Sequence, residues 1–160
     1  AFDGEGTPTK RLCLIGNGTL ENLLHSEATA RQFGVHPTGH AGLGAKVSVG
    51  PDWFEVSSSK GVSGAASHLD HRNAGDTFVL IESLNALHAG VKASQGAFSL
   101  PFDGWLVKDG ERISVEAATI AGDIRDVLKG IVHLEPNEVV THQGVSPHVW
   151  VDGLAITGEA

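Results

Sequence analysis

Residues 96–134, GAFSLPFDGWLVKDGERISVEAATIAGDIRDVLKGIVHL, decide the predicted fold of this chain. They contain two short runs of β-prone residues, 105–107 and 113–115, and the pair Asp109-Gly110 lies between them. An Asp-Gly pair readily adopts the positive φ angles that a tight hairpin turn needs. The sequence therefore predicts an antiparallel hairpin at this place.

The end of the same stretch changes from a strand pattern to a helix pattern. The apolar residues with the i, i+3, i+4 and i+7 spacing of one helix face are Ile124, Val127, Leu128 and Ile131. Asp123 precedes them as a candidate N-cap, and Pro136 is expected to end the segment because proline cannot continue a helix. We expect Val127 and Leu128 to be buried against the sheet.

The rest of the chain contributes mainly short strands between turns. Asn17-Gly18 predicts a second tight hairpin, and Ser26 and Gly34 bound a short predicted helix. The Gly- and Ser-rich residues 57–75 are predicted to form a flexible loop. Further strand candidates are residues 47–49, 53–56, 77–81, 148–151 and 154–156.

These elements predict an α+β fold that is mostly antiparallel β. We expect about eight or nine short strands and two helices, without the strand–helix alternation of a parallel sheet. The expected architecture is a sandwich or partly closed barrel of short strands with one or two packed helices.

Composition limits the classes of function. The 160 residues carry 11 Lys and Arg against 19 Asp and Glu, a net charge of −8, which disfavours nucleic-acid binding because that requires clustered cations. No apolar run approaches the roughly 20 residues that span a bilayer, and no signal peptide is recognised. The lone Cys13 excludes an internal disulfide and agrees with a reducing compartment.

The nine histidines raise the question of a metal site. His36 and His40 have helical i, i+4 spacing, but proline and glycine between them disfavour a helix. His68 and His71 flank Asp70 in a loop that could supply two ligands, although such a loop is also an ordinary solvated turn. Neither pair of histidines is sufficient to predict a metal site.

Several segments, taken together and in order, resemble the C-terminal part of the TldD/PmbA family. Members of this family are also called modulators of DNA gyrase, and the family includes metallopeptidase subunits. The resembling segments are residues 4–11 (GEGTPTKR), 28–31 (ATAR), 37–39 (PTG), 96–99 (GAFS), 119–122 (TIAG), 146–147 (SP) and 151–158 (VDGLAITG).

The resemblance also implies which type of subunit this is. Metallopeptidase members carry a His-Glu-x-x-x-His helix in their N-terminal part, which this chain lacks, and a further ligand from a Cys in a Gly-x-Cys-Gly segment. The corresponding residues 138–145 contain no Cys, and His142 could replace the missing thiolate, although one His in a loop is more often simply exposed. The chain therefore resembles the PmbA (TldE) type, the partner subunit without its own zinc site.

The expected protein is cytoplasmic and forms dimers, with itself or with a TldD-like subunit, in the proteolytic processing of peptides. Residues 1–160 would be a single domain, a C-terminal fragment of a larger family member. The domain would act as a scaffold and partner surface, with no catalytic residue or cofactor of its own and no contact with nucleic acid or membrane.

A cleft or interface is expected at two places. Thr38, Gly39 and His40 form one of them, in a loop rich in Gly and Pro. Gly122 and Asp123 form the other, where a helix N-terminus could present N–H groups to a peptide carboxylate or where Asp123 could simply cap the helix. Two alternatives stay open: a free-standing, His-based, metal-dependent β-barrel enzyme and a non-catalytic ligand-binding β-module.

Overall fold

The computed structural model describes residues 1–58 and 77–159, and this part of the chain contains twelve strands and three short helices. The helices are α1 (Glu27–Phe33), α2 (Leu87–Gly90) and α3 (Ile124–Lys129). The strands are β1 (Ile15–Gly16), β2 (Thr19–Leu20), β3 (Ala41–Gly42), β4 (Ser48–Val49), β5 (Phe54–Glu55), β6 (Thr77–Leu84), β7 (Val91–Lys92), β8 (Ala97–Lys108), β9 (Glu111–Asp123), β10 (Ile131–Val140), β11 (Gly144–Val151) and β12 (Ala155–Glu159).

The largest sheet has five antiparallel strands, in the order β12-β9-β8-β6 with β7 beside β8. Its centre is the β8–β9 hairpin, whose turn residues Asp109 and Gly110 have φ angles of +51° and +80°. The predicted hairpin is therefore confirmed. Its strands have 12 and 13 residues, longer than the short strands expected, because the pairing continues from Lys108 and Glu111 at the turn to Ala97 and Asp123 at the far end.

The buried core lies on this sheet. Leu100 and Phe102 of β8 pack with Ala118 and Ile120 of β9, and all four side chains are at most 7% exposed. Leu100 is directly opposite Ile120, and Phe102 is opposite Ala118, so the cluster consists of cross-strand pairs on one face. The partly buried side chains around it are Val79, Ile81, Phe98, Val115 and Leu154.

The predicted helix after β9 exists but is shorter and more exposed than expected. Only Ile124–Lys129 is helical, and Leu128 is 47% exposed, so the expectation that Leu128 is buried against the sheet was wrong. The helix ends at Gly130, whose N–H donates to the carbonyl of Asp126. The β-branched residues that follow favour a strand, and β10 runs through Pro136 instead of ending there.

A second sheet has three strands in the order β10-β11-β5. β5 pairs with β11 in parallel, with Phe54 opposite Gly144. On β11, the Trp150 ring packs against that of Phe78 in a tilted arrangement, with the ring centroids 4.6 Å apart, and its indole N–H donates to the buried Glu135 at 2.6 Å. The α+β, mostly antiparallel class is confirmed, and among the described strands no sheet closes into a barrel.

The chain divides into two compact units. Unit 1 consists of Ala1–Ser59 and Val139–Ser146, and unit 2 consists of Lys60–Glu138 and Pro147–Ala160. The division concerns packing within the chain, and the expectation of a single domain over residues 1–160 stays a prediction. No helix in the described part has the length and hydropathy needed to cross a membrane.

Candidate functional site

The first expected site, Thr38–His40, is built around the carboxylate of Asp3 in unit 1. Asp3 Oδ1 accepts hydrogen bonds from the backbone N–H groups of Glu5 and Thr7 at 3.0 and 2.9 Å. Asp3 Oδ2 accepts one from the N–H of Ala41 at 2.9 Å. One carboxylate therefore holds the N-terminal loop in its curved form and fastens it to the strand that follows His40.

Glu5 connects the same loop to α1. Its carboxylate accepts a hydrogen bond from the N–H of Glu27, the first helical residue, at 2.8 Å. The Ser26 side chain and the Thr29 side chain complete a capping box at that helix end. The N-terminal motif thus uses its acidic side chains to satisfy backbone donors that would otherwise be unpaired.

Thr38 and Gly39 are held with little freedom. The Thr38 hydroxyl accepts from the N–H of His25 at 2.9 Å, and the N–H of Thr38 donates to the carbonyl of His25 at 3.0 Å. Gly39 has a φ of +76°, and a Cβ there would collide with the backbone carbonyl of Pro8. Only glycine combines this positive φ with so close a backbone contact.

His40 lies next to this network, and its Nδ1 atom is buried without a hydrogen-bond partner among the described residues. The pKa of the Asp3 carboxyl is lowered, chiefly by the hydrogen bond from Ala41 and to a smaller extent by the nearby imidazole of His40. A carboxylate whose oxygens accept three amide N–H groups is poorly suited to take a proton from a substrate. The geometry is that of a structural clasp.

The second expected site, Gly122 and Asp123, lies in unit 2 and is described separately. Asp123 Oδ1 accepts the backbone N–H of Arg125 at 2.8 Å, which is the geometry of an N-cap. Its other oxygen forms an ion pair with the Arg125 guanidinium at 2.6 Å. These hydrogen bonds from Arg125 lower the pKa of Asp123 to about 2. The capping alternative is therefore present, and a role of these residues in a cleft stays a prediction.

Of the candidate metal ligands His68, His71 and His142, only His142 lies among the described residues. His142 is exposed in the tight turn between β10 and β11, where the Thr141 N–H donates to the carbonyl of Gly144 at 2.8 Å. His68 and His71 lie outside the described residues. Within residues 1–58 and 77–159, no three His, Cys, Asp or Glu side chains are grouped so that they could hold a metal ion.

Cys13 is exposed, and its thiol pKa is raised by partial burial and by the neighbouring Glu21. A raised pKa leaves less of the nucleophilic thiolate at neutral pH.

Sequence reasoning missed the roles of Asp3, Glu5 and Glu135. Asp3 stands immediately before the Gly-Glu-Gly-Thr-Pro segment, so an acidic residue beside a glycine-rich turn was a usable signal for the loop clasp. Glu135 is 2% exposed and bonds Trp150. Nothing in its immediate sequence indicates burial, because its partner Trp150 lies 15 residues away on the next strand.

Known proteins resemble this chain in sequence and in fold. The family described as "PmbA/TldA metallopeptidase C-terminal domain" has a sequence model that matches residues 1–158. The chain belongs to this family. The resemblance drawn from its sequence segments is thereby confirmed, and PmbA/TldD relatives are found both among characterised sequences and among solved structures.

Two bacterial relatives show the extent of the match. The chain is 29% identical over 145 residues to the metalloprotease PmbA of Escherichia coli O157:H7, covering 90% of the chain and 29% of that protein. It is 28% identical over 132 residues to a metalloprotease PmbA homolog of Haemophilus influenzae, covering 82% of the chain and 26% of that protein. This PmbA/TldD domain therefore spans less than a third of the length of these relatives.

Solved structures agree with the fold. A protein from Thermotoga maritima, described as a candidate modulator of a DNA gyrase, superposes with a TM-score of 0.76 at 32% identity over 98% of the chain and 35% of that protein. TldE from Thermococcus kodakarensis superposes with a TM-score of 0.78 at 21% identity, over 98% of the chain and 36% of that protein. At that identity, the likeness to TldE shows a common fold.

Proposed function

We propose that this PmbA/TldD domain is a scaffold and partner surface of a PmbA (TldE)-like subunit, in a cytoplasmic assembly that processes peptides. Its partner is a second copy or a TldD-like subunit, and the peptide is bound by the assembly. The domain itself carries no catalytic residue and binds no cofactor, nucleic acid or membrane. Thr38–His40 in unit 1 and Gly122–Asp123 in unit 2 are each proposed to border a cleft or an interface of their own unit.

The observation that carries this proposal is the amount of apolar surface left exposed. Among the described residues, 22 large apolar side chains are exposed while seven hydrophobic residues are buried, and three of those seven are alanines. Leu43 and Val140 are each 70% exposed, and Trp53 is 52% exposed. Soluble monomers rarely expose large contiguous apolar patches. We infer that a partner covers part of this exposed apolar surface.

A scaffold role is also supported by what the polar groups of the family-like segments do. The side chains of Glu5 and Thr38, and that of the adjacent Asp3, are all engaged with backbone N–H groups of the same unit. Side chains used in this way stabilise loops and helix ends. The described residues also offer no grouped donor set for a zinc ion.

Association is tested by light scattering. We expect the purified chain, 16.6 kDa as a monomer, to form dimers or larger species at high micromolar concentration. Two variants each replace one exposed apolar residue: Trp53→Ser in unit 1 and Leu128→Gln in unit 2. At least one of them should weaken association. Lys129→Gln is the matched control for Leu128→Gln, because it changes the adjacent exposed position without removing apolar surface. A clean monomer at that concentration would contradict the proposal.

Peptidase assays test the second half of the proposal. The chain alone should not cleave unfolded peptides above background, with or without added zinc. Hydrolysis that follows the protein through purification and is abolished by a chelator would refute this. One equivalent of tightly bound zinc or iron, lost when His68 and His71 are replaced, would favour the alternative of a metal-dependent enzyme.

A further inference from the structure

The β1–β2 hairpin carries a chemically reactive turn. Ile15 pairs with Leu20 and Gly16 with Thr19, so Asn17 and Gly18 alone form the loop. Their φ angles, +50° and +78°, are both positive, as in the two-residue turns that Asn-Gly favours. Both residues are exposed, and the space around the Gly18 α-carbon is open: apart from Gly18 and its two chain neighbours, no heavy atom lies within 4 Å of where a Cβ would stand.

Asn17 differs from the other asparagines in its neighbour. The chain contains five asparagines, and only Asn17 is followed by glycine. Because glycine has no side chain, its backbone nitrogen is the least shielded of any residue against approach to a neighbouring group. By contrast, the Asn22 amide donates to the carbonyl of Cys13 and the Asn85 amide donates to Asp103, both at 2.8 Å.

We propose that Asn17 is a site of spontaneous deamidation in this protein. The backbone nitrogen of Gly18 attacks the side-chain carboxamide carbon of Asn17 and forms a C–N bond. The C–N bond of the carboxamide breaks, and ammonia leaves with the proton of the Gly18 amide. The product is a five-membered cyclic imide. Water then opens the imide at one carbonyl to give aspartate, or at the other to give isoaspartate.

The pairing of β1 with β2 protects the Asn17-Gly18 turn from this reaction only weakly. Each strand contributes two residues to the pairing, and β1–β2 is a sheet of its own among the described strands. Beyond the paired residues, the N–H groups of Glu21 and Asn22 donate to the carbonyl of Leu14, and the Asn22 amide donates to that of Cys13. Isolated two-stranded hairpins are marginally stable, and loop openings of this kind require a free energy near zero. The turn therefore samples the open geometries in which the Gly18 nitrogen can reach the carboxamide.

The two products have different consequences. An Asp-Gly pair forms the same type of turn, so the aspartate product keeps the hairpin and adds one negative charge to a chain that already carries −8. Isoaspartate inserts an additional methylene into the backbone, which breaks the register of Gly16 with Thr19. It also moves Ile15 and Leu20, which are 45% and 62% exposed. This proposal does not depend on the function proposed above.

The test is an incubation of the intact protein at pH 8 and 37 °C, followed by proteolytic peptide mapping and mass spectrometry. We expect a gain of one mass unit at Asn17, with an isoaspartate isomer resolved by chromatography. A synthetic peptide covering residues 12–23 gives the unprotected rate. Because opening is nearly free, the rate in the protein should lie within about tenfold of the peptide rate.

Asn22 and Asn85 are controls in the same sample, and Asn17 should react at least about tenfold faster, since a side chain shields the following nitrogen in both. The Asn17→Asp variant supplies a standard for the aspartate product and should show no mass gain in this peptide. If Asn17 reacted more than tenfold slower than in the peptide, or no faster than Asn22, the proposal would be overturned.

Discussion

Two leucine-to-alanine substitutions in unit 2 test the placement of the core. Leu100 is 4% exposed and packs with Phe102, Ala118 and Ile120, whereas Leu128 on α3 is 47% exposed. Leu100→Ala removes transfer free energy and leaves a cavity, so it should cost about 2–5 kcal/mol. Leu128→Ala removes a side chain that is already half in water and leaves no cavity, so it should cost about 1 kcal/mol or less.

Urea denaturation followed by tryptophan fluorescence measures this difference. Introducing Trp53→Phe leaves only Trp105 and Trp150, which both belong to unit 2. With a slope of about 2 kcal/mol/M, the midpoint should fall by about 1–2.5 M for Leu100→Ala and by about 0.5 M or less for Leu128→Ala.

The reasoning would be refuted by equal midpoints, or by a larger fall for Leu128→Ala, since the core would then lie on the α3 side. Should Leu100→Ala fail to fold, Ile120→Val is a milder substitution in the same cluster and should cost about 0.5–1.5 kcal/mol.

Three further predictions concern backbone and charge. Arg125→Ala should raise the pKa of Asp123 from about 2 towards 3.8. Because the folded pKa is depressed, this carboxylate stabilises the fold above pH 3.8, and the stabilisation is lost as the pH falls towards 2. An NMR pH titration in which Arg125→Ala leaves the pKa of Asp123 unchanged would contradict the assigned cause. Ala117 has a φ of +48°, so Ala117→Gly should stabilise by about 0.5–1 kcal/mol in thermal melts, whereas Ala121→Gly in the same strand should destabilise by a similar amount. Gly39→Ala should lower the yield of folded protein and reduce the free energy of unfolding by more than about 1 kcal/mol, because both the φ of +76° and the backbone carbonyl of Pro8 exclude a Cβ. A melting temperature unchanged from that of the parent would show that the N-terminal loop is not held at Gly39.

Local features of the fold could be predicted because adjacent residues determine them. The hairpin turns at Asn17-Gly18 and Asp109-Gly110 and the capped helix α1 all follow from short-range backbone preferences. The end of α3 was missed because the apolar spacing continued through Ile131, although β-branched residues from that position favour a strand. Periodicity alone did not separate these two outcomes.

Pairing between distant segments could not be predicted in the same way. Residues 47–49 and 53–56 were expected as strands, but the sequence did not indicate their partners: β4 pairs with β3, and β5 pairs with β11. The candidate site shows the same limit. Thr38 and Gly39 were identified from the family resemblance, but the Asp3 carboxylate at the centre of that network is 38 residues away from its partner Ala41.

The division of the chain into interleaved units has a consequence for its synthesis. Unit 1 includes Val139–Ser146, so the parallel pairing of Phe54 with Gly144 cannot form until the ribosome has produced most of the chain. Closing the intervening segment of 90 residues requires about 2 kcal/mol more loop entropy than closing a ten-residue loop. During translation Phe54 therefore lacks its strand partner, and Phe54 and the preceding Trp53 are exposed. In this interval a nascent chain is most accessible to chaperones and most prone to aggregation.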